Sequence, residues 1–298
     1  VYGFVAMLIN VLRDEDPTHV AVAFDVSRAT FRSEEYAEYK ANRSTSPDEF
    51  KGQLSLIEEV LDALHVPYLK KDGYEADDIV ATLSARAEEA GWEAVVVSGD
   101  RDAFQLISER TTVLYPKKGV SDIPPMDADA VMAKYGVSPA QYPELAALVG
   151  EAADNLPGVP GVGPGFAAKW LKQYGDLDGV LAHAHEITGK KGEALREHLE
   201  DVRRNRRLNA LVRDLDLPIG LEAMRLEMPE REPVEELFDA LQFNRIRERV
   251  FEVFGERVGE DAPPPEVEAA PEFTEATTAE DVRAFLAAEA GTLDRKSV

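Results

Sequence analysis

Residues 73–102, GYEADDIVATLSARAEEAGWEAVVVSGDRD, form the stretch of sequence that decides the fold. Its first half predicts a helix that opens on acidic residues and stops at Gly91, and the apolar run at 94–97 predicts a strand. A short run of β-favouring apolar residues, with no polar residue in it, is typical of a strand buried on both faces, as in a parallel sheet with helical crossovers. The stretch therefore indicates an α/β fold.

Acidic residues stand at the ends of both predicted elements: Glu75, Asp77, Asp78, Asp100 and Asp102. Ligands bind outside the carboxyl ends of strands in such sheets. Clustered carboxylates raise one another's pKa unless a counter-charge is present, and hard divalent cations such as Mg²⁺ are the usual one. The alternative is structural, because acidic residues are common N-caps and first-turn residues. A second predicted strand, 19–24, also ends in a carboxylate, Asp25, and this favours the metal interpretation.

Composition sets broad limits on the protein. With 298 residues, 44% hydrophobic and 30% charged, the chain can build a proper core in one large or two ordinary domains. The absence of cysteine excludes disulfides and thiolate chemistry, and with no signal peptide or membrane-length apolar run it predicts a cytoplasmic protein. The net charge of −24 argues against nucleic acid only if it is evenly spread, and much of it lies in the C-terminal third.

Cations alternate with aromatic residues in the segment 31–43: Phe31, Arg32, Tyr36, Tyr39, Lys40 and Arg43. This mixture suits single-stranded nucleic acid, because cations follow phosphates and rings stack on bases. The alternative is an amphipathic helix whose aromatic residues face the core.

A second informative stretch is GEAADNLPGVPGVG at 150–163. Glu151 and Asp154 are spaced so that they can add two carboxylates to the acidic group. The glycines that follow predict a tight hairpin before a helix at 166–174, where the backbone can approach a ligand and amides can bind an anion. Such a hairpin can hold a phosphodiester backbone without reading sequence. The alternative is a plain turn between helices.

The pattern of elements predicts three regions. Residues 1–125 alternate between helices and strands and indicate a mainly parallel α/β core. Residues 126–257 are helical and contain the hairpin. Residues 258–298 are rich in Pro, Glu and Ala, and they indicate a linker followed by the start of a truncated further domain.

These motifs, taken in order, resemble the 5′-nuclease (flap endonuclease) family, and within it the N-terminal 5′→3′ exonuclease domains of bacterial DNA polymerase I chains. The resemblance covers residues 1–254 and rests on VYGF at 1–4, AFD at 23–25, FR…YK.NR at 31–43, GYEADD at 73–78, SGDRD at 98–102 and DNLPGVPGVG at 154–163. It implies a PIN-like core with a helical arch, followed by a helix-hairpin-helix subdomain.

The resemblance also implies hydrolysis of DNA phosphodiester bonds by two divalent metals, normally Mg²⁺, with Mn²⁺ as a substitute. Asp25, Glu75 and either Asp77 or Asp78 would hold the first ion. Asp100, Asp102, Glu151 and Asp154 would serve the second, some of them through water.

On the DNA side, the resemblance places Lys40 and Arg43 in the arch, near the scissile phosphate, and Arg32 at its entrance. The hairpin would hold the duplex backbone, and often a K⁺ ion, through Gly158, Val159, Gly161, Val162 and Gly163, with help from Lys169. The implied substrates are 5′ flaps, nicked duplexes and RNA primers on DNA, removed in replication and repair by a monomer that has no membrane contact.

Three departures from the family pattern give rise to alternatives. A further Asp is expected on a strand upstream of residue 1, so we expect an N-terminal truncation. Position 151 holds Glu where Asp is usual, and residues 164–166 read Pro-Gly-Phe where Glu-Lys-Thr is common. One alternative is therefore a catalytically weak, structure-specific DNA-binding module. Another is a phosphatase-like or small-nucleotide hydrolase, against which the hairpin and the basic aromatic segment argue.

Overall fold

The computed structural model describes residues 1–43, 48–116 and 123–255, and it confirms a helix-rich α/β fold. Within those residues the α-helices are α1 (Tyr2–Glu15), α2 (Phe31–Glu35), α3 (Asp48–Ala63), α4 (Ala76–Glu89), α5 (Ala128–Tyr135), α6 (Tyr142–Val149), α7 (Pro164–Tyr174), α8 (Leu177–Ala182), α9 (Gly189–Glu197), α10 (Leu199–Asn209), α11 (Arg231–Ala240) and α12 (Asn244–Gly255). The strands are β1 (Val22–Phe24), β2 (Tyr68–Lys70), β3 (Ala94–Val97), β4 (Thr111–Leu114), β5 (Pro125–Met126), β6 (Gly150–Glu151) and β7 (Leu156–Pro157).

The strands of the α/β part form two small sheets. β1 pairs in parallel with β2, and β3 pairs in parallel with β4, whose other neighbour, β5, runs antiparallel. The predicted parallel connections are thus present. The prediction that β1 and β3 are buried on both faces is wrong, because Val95 of β3 is 44% exposed and β1 is only half-buried throughout. In the described residues, each of these strands has one hydrogen-bonded neighbour.

The first and last helices pack together in one apolar cluster. α1 contributes Val5, Ile9 and Leu12, α3 contributes Leu61, and Phe238 of α11 packs among them. All five side chains are fully buried. The N-terminal helix is therefore held by helices from the far end of the described chain. None of the helices in the described ranges has the length and apolar character that a bilayer span needs.

A second apolar cluster joins the α/β part to the later helices. Val96 and Phe104 pack in it with Leu148, Trp170 and Leu171. The described residues up to Gly255 form one compact unit. The domain boundary between residues 125 and 126 stays a prediction, and the linker at 258–298 lies outside the described residues.

Two segments near the sheet ends differ from regular helix. After β3 the chain forms a 3₁₀ helix at Arg101–Leu106, and the segment 31–43 is helical only at Phe31–Glu35, with turns beyond it. The backbone N–H of Phe31 donates to the carbonyl of Gly73 at 3.0 Å, which fixes α2 beside the start of α4. This hydrogen bond brings the basic segment 31–43 to the acidic start of α4.

Candidate functional site

The first group of predicted carboxylates surrounds the start of α4. Glu75 is the N-cap of α4 and forms a reciprocal capping box with Asp78. Each side chain accepts a hydrogen bond from the other's backbone N–H, so two orphan donors of the helix start are satisfied. Asp25, directly after β1, accepts a hydrogen bond from the Ala76 N–H at 2.7 Å. The sequence therefore folds so that the end of β1 and the start of α4 present their acids together.

The second group follows β3 and the end of α6. Asp100 is the N-cap of the 3₁₀ helix and accepts a hydrogen bond from the Asp102 N–H at 3.0 Å. Glu151 ends β6, and Asp154 closes the short 3₁₀ turn that leads to β7. The antiparallel pairing of β6 with β7 turns the chain back on itself here. That turn directs the acids of the 150–154 segment toward the end of β3.

Three members of the second group converge on one point. Asp102, Glu151 and Asp154 each offer a carboxylate oxygen within 4.8 Å of the others. One oxygen of Asp102, Oδ1, and one of Glu151, Oε2, are buried without a hydrogen-bond partner among the described residues. Buried polar atoms are normally satisfied, and carboxylate oxygens are the ligands that hard divalent cations take. The donor set therefore fits a divalent metal ion.

Burial and mutual repulsion change the acidity of this group. Burial, followed by the charges of Asp154 and Asp100, raises the pKa of Glu151 to about 7. Burial also raises the pKa of Asp102 well above its ordinary value, with the charges of Glu151 and Asp100 next in importance. The site consequently takes up positive charge near neutral pH, as protons or as a cation.

Asp77 connects the two groups of carboxylates. Burial raises the pKa of Asp77 to about 7, and the charge of Asp100 is the next cause. Lys40 opposes the rise, and Glu75 and Asp25 add to it. A side chain that feels charges from β1, α4 and β3 at once lies between them. Asp77 thus links the acids at the end of β1 and the start of α4 with those after β3, and together they form one acidic surface.

Lys40 and Arg43 lie directly on this surface. The Lys40 ammonium is 2.6 Å from Glu75 Oε1 and 4.0 Å from Asp154 Oδ1. The Arg43 guanidinium donates from Nη2 to Asp154 Oδ1 at 2.7 Å. The Lys40 side chain is 20% exposed and the Arg43 side chain 45% exposed, so both remain reachable from solvent. Both cations therefore lie at the open side of the acidic surface.

Tyr39 is a site residue whose role the sequence pattern left open. It is 7% exposed, and its hydroxyl lies 3.2 Å from Glu75 Oε2 and 3.3 Å from Asp154 Oδ2. Burial raises the pKa of Tyr39 far above its ordinary range, and the neighbouring carboxylate charges add to the effect. Its single hydroxyl proton is therefore retained and can be donated to either carboxylate. Tyr39 faces the site and the core, as the alternative interpretation of the aromatic residues expects, and it has no exposed face for base stacking.

Arg32 does not lie where the resemblance places it. It is 1% exposed, and its guanidinium makes a bidentate pair with Asp78 at 2.6 and 2.8 Å. Its remaining donors reach the carbonyls of Leu208 and Ala210 at 2.7 and 2.9 Å. The prediction that Arg32 contacts DNA is thereby corrected, because its donors are used inside the protein.

Asp78 is equally enclosed, and this changes its predicted role. It is fully buried, and beyond the pair with Arg32 it accepts hydrogen bonds from the backbone N–H groups of Glu75 and Val212. Of the two candidates left open for the first metal group, Asp77 is therefore the one with uncommitted oxygens. Asp78 instead joins α4 to the chain that follows α10.

The glycine hairpin is present and tightly packed. A Cβ on Gly158 would lie 2.0 Å from the carbonyl oxygen of Val149, so only glycine fits there. Val159 and Val162 are buried, and their N–H groups donate to the carbonyls of Leu148 and Val159 at 2.9 and 3.0 Å. These two residues therefore have neither a side chain nor an amide N–H available to DNA.

The exposed part of the hairpin is its far end. Gly161 is exposed with a φ of 76°, which favours glycine, and Gly163 is the N-cap of α7. Lys169, also exposed, lies on α7, and no carboxylate within 4.0 Å pairs with it in the described ranges. The surface open to a ligand here consists of Gly161, the partly exposed Gly163 and the exposed residues in the first turns of α7.

Comparison with known proteins agrees with this geometry. Residues 1–136 match the family model of the 5′-3′ exonuclease N-terminal resolvase-like domain, and residues 137–232 match that of the 5′-3′ exonuclease C-terminal SAM fold. DNA polymerase I of Mycobacterium leprae is 54% identical over 263 residues, and that of Bacillus caldotenax is 44% identical over 251 residues. These matches cover 87% and 84% of this chain but 29% of each relative, so the chain spans less than a third of their length.

Solved structures share the fold at low sequence identity. The T5 D15 protein crystallised with metal ions aligns with a TM-score of 0.60 at 18% identity, over 84% of this chain and 91% of that one. The catalytic core of Rad2 in complex with a DNA substrate aligns with a TM-score of 0.54 at 14% identity, over 85% and 82%. Together the two family models account for residues 1–232, in the same order and with the acidic surface and hairpin found above. The chain therefore belongs to the 5′-3′ exonuclease family.

Proposed function

We propose that this chain hydrolyses phosphodiester bonds at 5′ ends and 5′ flaps of DNA with the help of divalent metal ions. The observation that carries the proposal is the convergence of Asp102, Glu151 and Asp154 with two unsatisfied buried oxygens. Lys40 and Arg43 lie beside these acids, where a phosphate can meet both cation and carboxylate. Neither a plain DNA-binding module nor a structural domain needs buried, unpaired carboxylates.

Two Mg²⁺ ions, which Mn²⁺ can replace, suit the two groups of acids. Asp25, Glu75 and Asp77 would hold one, and the second group, with Asp100 beside the three convergent acids, would hold the other. When bound, such ions generate a nucleophilic water and stabilise the leaving oxygen. The extra methylene of Glu151 does not prevent its participation, because its carboxylate already lies within 4.8 Å of those of Asp102 and Asp154. This argues against the catalytically weak alternative.

The protein's own groups would orient the substrate. Lys40 and Arg43 are charge-assisted donors at the open side of the site, and a phosphate oxygen is the acceptor they favour. Tyr39 restrains the carboxylates of Glu75 and Asp154, because its hydroxyl can donate a hydrogen bond to either of them. The chain thus supplies both positioning donors and a preorganised negative surface.

The hairpin supports DNA as the substrate. Its exposed Gly161 and Lys169 can contact a duplex backbone without reading bases. We include K⁺ at this turn, held by main-chain carbonyls, and 5′ flaps, nicked duplexes and RNA primers on DNA as substrates, all as parts of the proposal. Both relatives named above are DNA polymerase I chains, which supports primer removal in replication and repair, by a monomer in the cytoplasm, as the setting.

The test is cleavage of a labelled 5′-flap duplex with Mg²⁺ and then with a chelator. We expect metal-dependent release of the flap by the chain and nearly none by Asp100→Asn, with duplex binding in the chelator equal for both. Binding without cleavage by the chain would favour the binding-module alternative. Equal turnover in Asp100→Asn would refute the assignment of the site.

A further inference from the structure

An exposed aromatic ring stands directly after the hairpin. Phe166 lies in the first turn of α7 and is 47% exposed, one of few large apolar side chains so open in the described residues. The turn that carries it, residues 164–166, contains no cation of its own. A hydrophobic ring exposed at this place therefore calls for a contact with another side chain or with a ligand.

The partner is a lysine from a different helix. The ammonium of Lys191, in the first turn of α9, lies 4.2 Å from the centroid of the Phe166 ring. A cation over an aromatic face at this distance is attracted by the negative charge density of the ring face. The ring thus restrains a flexible side chain and holds its charge next to the hairpin, while the N–H donors that point away from the ring stay available.

The lysines near this ring are not neutralised. Among the described residues, neither Lys169 nor Lys190 nor Lys191 has a carboxylate within 4.0 Å, whereas Lys70, for comparison, pairs with Glu58 at 2.7 Å. Acidic residues outnumber basic ones by 57 to 33 in this chain. Lysines without acidic partners within this distance can therefore attract an anion.

The backbone that carries Lys191 is packed closely. A Cβ on Gly192 would lie 1.8 Å from the carbonyl oxygen of Ile187, so the first turn of α9 sits directly on the preceding chain. Gly189, with a φ of 79°, makes the turn into α9. The position of Lys191 is thus set by main-chain packing as well as by the ring.

We propose that Lys191, held by Phe166, contacts the phosphate backbone of duplex DNA beside the hairpin. The contact is independent of sequence, and it supplies the positive charge that the first turn of α7 lacks. It rests on the proposed function, because it presumes that this hairpin meets a duplex.

The experiment compares the chain with Lys191→Ala in binding to a labelled blunt duplex, with a chelator present and KCl varied. Losing one phosphate contact lowers the slope of log affinity against log salt by about 0.9. If the two curves meet near 1 M salt, this slope makes Lys191→Ala bind about eightfold more weakly at 0.1 M. Lys191→Arg should retain the slope.

Lys172→Ala is the matched control. It removes the same charge from α7, but about 9 Å further along the helix axis than Phe166 and on another face. We expect its slope to equal that of the unchanged chain. Equal slopes for Lys191→Ala and the unchanged chain would overturn the proposal, whereas an unchanged chain with no salt-dependent duplex binding would overturn the proposed function itself.

Phe166→Leu tests the role of the ring. It should weaken binding in the unchanged chain and have no further effect when combined with Lys191→Ala, because the ring acts through Lys191. An equal loss in both backgrounds would show that Phe166 contacts DNA directly and would refute the pairing.

Discussion

Replacing Glu151 by Gln should stabilise the chain at pH 8 in the presence of a chelator. The substitution keeps the shape of the side chain and removes a carboxylate whose pKa is raised to about 7 by burial and by the charges of Asp154 and Asp100. A functional site of this kind costs stability in the absence of its cation, because like charges are held together there.

The sign and size follow from proton linkage. The folded chain holds the Glu151 proton more tightly than the unfolded chain, so the stability contributed by Glu151 is present below about pH 4.5 and is lost as pH rises to about 7. The difference, 7 − 4.5, is about 2.5 pKa units, which at 1.36 kcal/mol per unit is about 3 kcal/mol. We therefore expect Glu151→Gln to gain about 3 kcal/mol at pH 8 and almost nothing at pH 4.5.

Urea unfolding measures this directly. The unchanged chain, Glu151→Gln and the exposed control Glu109→Gln are unfolded in a chelator at both pH values. The control should match the unchanged chain at each. Added Mg²⁺ should then stabilise the unchanged chain more than Glu151→Gln, because a ligand bound to the folded state adds to its stability. A gain of equal size at pH 4.5 and pH 8, or a loss at pH 8, would refute the electrostatic reasoning.

Three further changes test other parts of the structure. Lys40→Ala should lower the single-turnover cleavage rate by about 10²-fold while duplex affinity changes little, and an effect confined to affinity would place Lys40 outside the reaction. Arg32→Ala leaves the Asp78 carboxylate buried and unpaired, so urea unfolding should show a loss of about 3–5 kcal/mol, with Arg32→Lys recovering part of it; a loss below 1 kcal/mol would contradict the buried pair. Gly158→Ala should reduce the free energy of unfolding by more than about 2 kcal/mol, since its Cβ meets a backbone carbonyl, whereas Gly163→Ala, with nothing within 4 Å, should change it by less than about 0.5 kcal/mol; similar values for both would contradict the packing of the hairpin.

The local sequence pattern was enough to predict that acidic residues stand at strand ends and helix starts and that a glycine-rich turn lies between two helices. Asp100 and Glu75 could be recognised because strand ends and helix starts are visible in sequence, and the structure places them at those ends. The exposure of β3 could not be predicted, because exposure of Val95 depends on which other elements pack over each face of the sheet, and a short apolar run does not contain that information.

Roles that depend on distant parts of the chain were the ones missed. Arg32 looked like a surface cation among aromatic residues, but its partners, Asp78 and two carbonyls at the end of α10, are 46 to 178 residues away. Tyr39 looked like a stacking residue or a core residue, and its contact with Glu75 and Asp154 appears only when three segments are assembled. In both cases the sequence shows the type of residue but not which part of the folded chain its side chain contacts.

The net charge of −24 does not argue against DNA binding when the positions of the charged side chains in the structure are considered. The pKa values of three site carboxylates, Asp77, Asp102 and Glu151, are raised by burial, so protons or bound cations offset part of the negative charge of the site near neutral pH. On the hairpin side, Lys169 and Lys191 have no carboxylate within 4.0 Å among the described residues. A phosphate backbone that spans both places meets partly offset acids at one end and unpaired ammonium groups at the other. Affinity should therefore depend on a few local cations, which is why a single lysine at α9 can be expected to change the salt dependence of binding.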